Sequence, residues 1–91
     1  QLVLDRGACK VIRDDGRSLL AVGVVSVDGE FERGELVTCL DENGIEVAKG
    51  LVNYDAHEAT QICGQSTNRI ESILGYAREP ELIHRDSLVI V

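Results

Sequence analysis

Methionine and tryptophan are missing from this sequence, and its rings amount to one Phe and two Tyr. A core must therefore be built from Val, Leu and Ile. So few aromatics also argue against a platform on which single-stranded bases stack. A complete translation product begins with Met, so a chain without one is expected to be a domain or processed piece of a longer protein. No apolar run reaches the length of a membrane span, and no charged-then-apolar leader opens the chain; the expected compartment is the cytoplasm. The three cysteines, Cys9, Cys39 and Cys63, show neither a CxxC pair nor a Cys/His zinc spacing. They read as buried thiols in a reducing compartment, and no metal site is expected. Basic residues are outnumbered, nine against sixteen acids, giving a net charge of −7. That balance repels nucleic acid in bulk, so binding to one would require a local basic patch.

What the sequence does hold is one small domain of 91 residues, 44% of them hydrophobic, enough for a core without disulfides. Ser18 to Tyr54 organises it. Short Val/Leu/Ile runs alternate there with Asp-Gly, Arg-Gly and Asn-Gly, the pattern of consecutive strands and sharp turns. Leu2–Leu4 reads as a short strand at a sheet edge. Asp5 then suits the N-cap of a helix to about Asp14, with Gly16 just beyond its end. Leu19 to Val27 reads as one strand, with Gly23 marking a bend or a close backbone approach. Phe31 lies between Gly29 and Gly34, where it would plug one end of the core. Leu36–Leu40 and Ile45–Val52 form a hairpin around Asp41-Glu42-Asn43-Gly44, and Gly50 suggests a bend. A three-residue bulged loop pairs Cys39 with Val47; a two-residue loop pairs Leu40 with Val47. Asp55 and Glu58 have capping-box spacing for a second helix, and Ser66 or Thr67 caps a third. Pro80 sits in a loop, and Leu82–Ile83 and Leu88–Val91 close the sheet.

Arg6, Lys10, Arg13 and, if the turn continues, Arg17 fall at i, i+4, i+7 and i+11, four of the nine basic residues on one stripe. The stripe reads either as a phosphate-contacting edge or as a solvated face partly neutralised by Asp14. His84-Arg85-Asp86 spells the catalytic-loop tripeptide of protein kinases, but the following Asn, the Gly-rich loop and the lysine strand are absent. It reads as a polar turn entering the last strand, with Arg85 available for an ion pair. His57 and His84 have no local partner pattern, and all three cysteines sit on apolar faces, away from the base and lowered pKa that nucleophilic catalysis needs. No catalytic residue is expected in this chain.

Gly7-Ala8, Gly16 and Leu20-x-x-Gly23-Val24, then Gly29-x-Phe31-x-x-Gly34-Glu35, Gly44, Ala48 and Gly50, resemble a PUA domain along nearly the whole chain. Glu35 departs from the Asp more usual there. Gly50-Leu51-Val52-Asn53-Tyr54, Ile70-Glu71-x-Ile73-Leu74-Gly75-Tyr76 and Ile83-His84-Arg85-Asp86 are similar, more narrowly, to the C-terminal PUA domains of bacterial glutamate 5-kinases. Ser87 departs from their usual Asn. The resemblance implies a mainly β, α+β pseudo-barrel of mostly antiparallel strands, one domain over residues 1–91. It implies a catalytic amino-acid-kinase domain upstream that uses ATP and magnesium to phosphorylate L-glutamate, the first step of proline biosynthesis. The PUA domain would be a non-catalytic regulatory or assembly module whose partners are its own kinase domain and other copies of the parent. PUA domains elsewhere bind RNA through the first helix and the following loop. That carries over to Arg6, Gly7, Lys10, Arg13, Arg17 and Ser18 as candidate RNA-binding residues, overlapping the basic stripe.

Overall fold

A computed structural model describes residues 1–91. Five strands form one sheet: β1 (Leu2–Leu4), β2 (Val24–Val27), β3 (Leu36–Leu40), β4 (Glu46–Leu51) and β5 (Leu88–Ile90), in the order β2-β1-β3-β4-β5. Neighbours are antiparallel except β1 and β3, which run parallel. Helices α1 (Arg6–Asp15), α2 (Ala56–Ile62) and α3 (Ile70–Leu74) complete the chain, with single 3₁₀ turns at Ala21–Gly23, Thr67–Arg69 and Arg85–Ser87. The expected α+β architecture is present. β1, expected at an edge, lies instead between β2 and β3.

Alternation along the strands puts Leu2, Leu4, Val24, Val37 and Cys39 into an aliphatic core with Ile12, Ile62, Ile70, Leu82 and Ile83. Phe31 is buried with them, as expected. Burial pushes the Cys39 thiol up to about 12. Tyr54 is fully buried, and its hydroxyl donates to the Glu79 carbonyl at 2.7 Å and accepts from the Arg78 N–H at 3.1 Å. Asn53 donates to the Glu81 carbonyl. Together they tie the Pro80 loop to the end of β4.

The hairpin register matches neither expectation. Cys39 faces Ala48 and Leu40 faces Glu46, with an irregularity between the two pairs. The bulge sets Val47 and Ala48 both inward, and so brings Glu46 and Lys49 to one face, where they pair at 3.5 Å. The Asp41 carboxylate closes the turn by accepting from the N–H groups of Asn43 and Ile45, and Gly44 takes φ 82°.

The expected strand Leu19–Val27 is broken. Leu19 makes an isolated bridge to Ile83, the chain turns through Ala21–Gly23, and pairing with β1 starts only at Val24. The reason is non-local: a Cβ on Gly23 would lie 2.5 Å from the Ala8 Cβ, so helix α1 presses directly on this turn. Gly50 likewise marks contact rather than a bend. It lies within β4, where a Cβ would meet Ile83 Cγ2 at 2.7 Å and the Ser87 carbonyl at 2.8 Å. The closing segment is one strand, β5, plus that Leu19–Ile83 bridge. The capping box of α2 is present, whereas Ser66 makes no side-chain cap.

Candidate nucleic-acid interface

Helix α1 is short and lies on the surface. Asp5 Oδ1 accepts from the Ala8 N–H at 2.7 Å, and Asp5 donates its own N–H to the Gly23 carbonyl at 2.9 Å. These bonds and the Ala8–Gly23 contact fix where the helix starts and what it leans on. Only Cys9 and Ile12 are buried. Burial raises the Cys9 thiol, with Arg13 pulling the other way. Gly16 ends the helix at φ 62°, its N–H bonded to the Val11 carbonyl.

That ending divides the six sequence-selected residues. The helix does not continue to Arg17, so the four-residue stripe is a three-residue one. Arg6, Lys10 and Arg13 line a shallow cleft whose opposite wall is the acidic hairpin tip, Asp41 and Glu42. No ion pair within 4.0 Å closes across it. Gly7, Arg17 and Ser18 line the other side, a groove of about 920 Å³ between α1, the Leu19–Gly23 segment and the turn before β5.

The groove also contains His84 and Arg85 of the polar turn entering the last strand. The Arg85 N–H donates to Ser18 Oγ at 2.8 Å across 67 residues of sequence. Leu19 exchanges backbone bonds with Leu82 and Ile83 beside it. The turn itself is as expected, with His84 Nδ1 accepting from the Asp86 N–H at 3.1 Å. Arg85 makes no ion pair; the contact within the tripeptide is His84 to Asp86 at 3.6 Å. Local spacing carries no sign of the Ser18–Arg85 contact. The groove's charges are mixed: Arg17 and Arg85 stand with Asp5, Asp15 and Glu81. Two arginines among its lining residues could hold a phosphate, and three carboxylates temper the field they create.

A second polar cluster lies on α2. Glu58 is 5% exposed, and its carboxylate accepts from the Asp55 N–H at 2.9 Å and from the Tyr76 hydroxyl, with Arg78 Nε at 3.6 Å. The hydrogen bond to Glu58 raises the Tyr76 phenol above its ordinary value. Local spacing marks Glu58 as a capping residue only; its burial depends on Tyr76 and Arg78, eighteen and twenty residues on. No group of three or more His, Cys, Asp or Glu gathers where a metal ion could sit. No helix is long and apolar enough to cross a membrane.

The chain is 64% identical over 91 residues to a glutamate 5-kinase of Hahella chejuensis, and 61% identical over 90 residues to one of Chromohalobacter salexigens. The alignments take in 100% and 99% of this chain but 24% of each relative, in their C-terminal region. The chain thus spans about a quarter of the length of the curated relatives it matches. Among solved structures, a PUA domain from Aeropyrum pernix K1, crystallised as a tartrate complex, superposes with a TM-score of 0.64 at 25% identity, covering 91% of this chain and 40% of that one. The PUA domain family model matches residues 1–74, and the chain belongs to the PUA domain family.

Proposed function

We propose that this chain is the non-catalytic C-terminal module of a glutamate 5-kinase, one that tunes or assembles the enzyme. The observation that carries this reading is the 64% identity sustained along the whole chain to such an enzyme. The parent would transfer a phosphoryl group from ATP, with magnesium, to the side-chain carboxylate of L-glutamate, opening proline biosynthesis. That chemistry belongs to a preceding kinase domain. The residues here do not fit ATP and magnesium, since they form no Gly-rich phosphate loop and no cluster of cation ligands. The partners are then that kinase domain and further copies of the parent.

The test is the full-length protein against the same protein lacking residues 1–91, assayed for glutamate phosphorylation, inhibition by proline and oligomeric mass. Retained phosphorylation with altered inhibition or mass is the expected result. Loss of all phosphorylation in a folded truncated protein, or no change in any of the three, would overturn the reading.

A second reading, RNA binding, rests on Arg17 and Arg85 lining the same groove, with Arg6, Lys10 and Arg13 around the helix. The mixed charge of the groove and the acidic tip facing the stripe favour the first reading. Titration with structured RNA at two salt concentrations separates them, because phosphate contacts weaken steeply as salt rises. Lys10→Glu/Arg13→Glu and Arg17→Glu/Arg85→Glu then tell which side of α1 is used.

A further inference from the structure

The face of the sheet turned away from the core carries apolar side chains with nothing over them. Leu36 on β3 lies opposite Leu51 on β4, and they are 64% and 46% exposed. One step along, Thr38 faces Lys49, which faces Val89, 68% exposed, on β5. Strand alternation puts Val91, 70% exposed, on the same side as Val89. The charge on this surface is self-contained: the bulge in β4 brings Glu46 beside Lys49, where the two pair. An exposed apolar face whose charged residues, Glu46 and Lys49, offset each other is unusual on a domain whose net charge is −7.

The sheet also indicates what reaches it. β1 runs parallel to β3, with Leu2 beside Cys39 and Val3 beside Leu40. Continued in that register, the backbone before Leu2 leaves the sheet alongside Thr38, at the border of this face. In the curated relatives about three quarters of the chain lies outside the matched C-terminal stretch. We infer that the Leu36–Leu51–Val89 face is the docking surface for the preceding kinase portion of the parent chain, an inference that rests on the reading of this chain as a kinase module. Its apolar, charge-neutral character suits a protein surface and gives nothing to a phosphate backbone.

The experiment uses the full-length protein. Leu36→Glu combined with Leu51→Glu should release the domain from the rest, read as roughly ten-fold faster protease cleavage at the junction preceding residue 1. Val25→Glu, at a 52% exposed position on the opposite edge strand, should leave that rate unchanged. Equal cleavage in the double variant and wild type, or the same acceleration from Val25→Glu, overturns the inference. Should the double variant fail to fold, a photo-crosslinking residue at Val89 of the otherwise wild-type protein decides. Crosslinks to the preceding portion of the chain support the assignment. Crosslinks to another copy of β3–β5, or none, overturn it. Glutamate phosphorylation is assayed on the same preparation. If it is absent while the crosslink forms, the kinase reading fails and the docking surface stands.

Discussion

Helices α1 and α2 start on aspartates in nearly the same backbone conformation, Asp5 at φ −75°, ψ 170° and Asp55 at φ −74°, ψ 173°. Each carboxylate accepts from the N–H three residues on, at 2.7 and 2.8 Å. The difference is the side chain at that third position. In α2 it is Glu58, which reaches back to the Asp55 N–H and is itself covered by Tyr76 and Arg78. In α1 it is Ala8, which has nothing to offer the cap but is small enough to press on Gly23. One helix is anchored by a buried polar network. The other is anchored by a close contact, and three of its basic residues remain facing an open cleft. The same local start thus permits a helix sunk into the core and a helix set out on the surface.

That contrast can be broken at several points. Gly23→Ala should have the largest effect, a loss of about 3 kcal/mol in urea unfolding, because the new methyl and Ala8 cannot both fit. Ala8→Gly in the same chain should recover part of it. Full additivity of the two changes would mean that the contact does not anchor α1. Glu58→Ala should follow at about 2 kcal/mol, since the Asp55 N–H, the Tyr76 hydroxyl and Arg78 all lose their acceptor. Asp5→Ala removes a cap with no reciprocal partner and should cost only about 1 kcal/mol.

Titration sharpens the comparison. The Tyr76 phenol is held above its ordinary value by Glu58, so the neutral ring is favoured in the folded state. Its stabilising contribution is complete below the unfolded phenol's value and is lost as pH rises through the folded one. Absorbance at alkaline pH should register late ionisation, and Glu58→Gln should bring it earlier. A smaller effect separates the thiols: Cys63, capping the end of α2 and partly exposed, should label with a thiol reagent before Cys9 of α1 or Cys39. Labelling of Cys9 at the Cys63 rate would mean that α1 opens readily.

What the sequence made legible follows how far apart the deciding residues lie. The Asp55–Glu58 box was readable because both halves sit within one turn of helix. Phe31 in the core was readable from its isolation among polar and Gly positions. Gly23 was readable as a bend or close approach in Leu19–Val27, but not its partner Ala8, which lies far along the chain. Nor was the hairpin register, where the loop rules offered two pairings and the Val47–Ala48 bulge imposed a third. Of the six candidate RNA-binding residues, three share the cleft and three share the groove, because Gly16 turns left-handed and takes Arg17 off the helix. Arg85 joins the groove through Ser18, a pairing no local pattern signals.

The strand nearest the N-terminus lies inside the sheet, hydrogen-bonded to β2 on one side and β3 on the other. This has a mechanical consequence. Tension arriving along the backbone at Leu2 loads both ladders in shear, so several bonds must fail together. Tension on β5, which has a single neighbour, opens one ladder from its end. Pulled against a fixed point on α2, the domain should yield at a higher force through Gln1 than through Val91. It would then hold its shape under a tug at Gln1 and give way first under one at Val91.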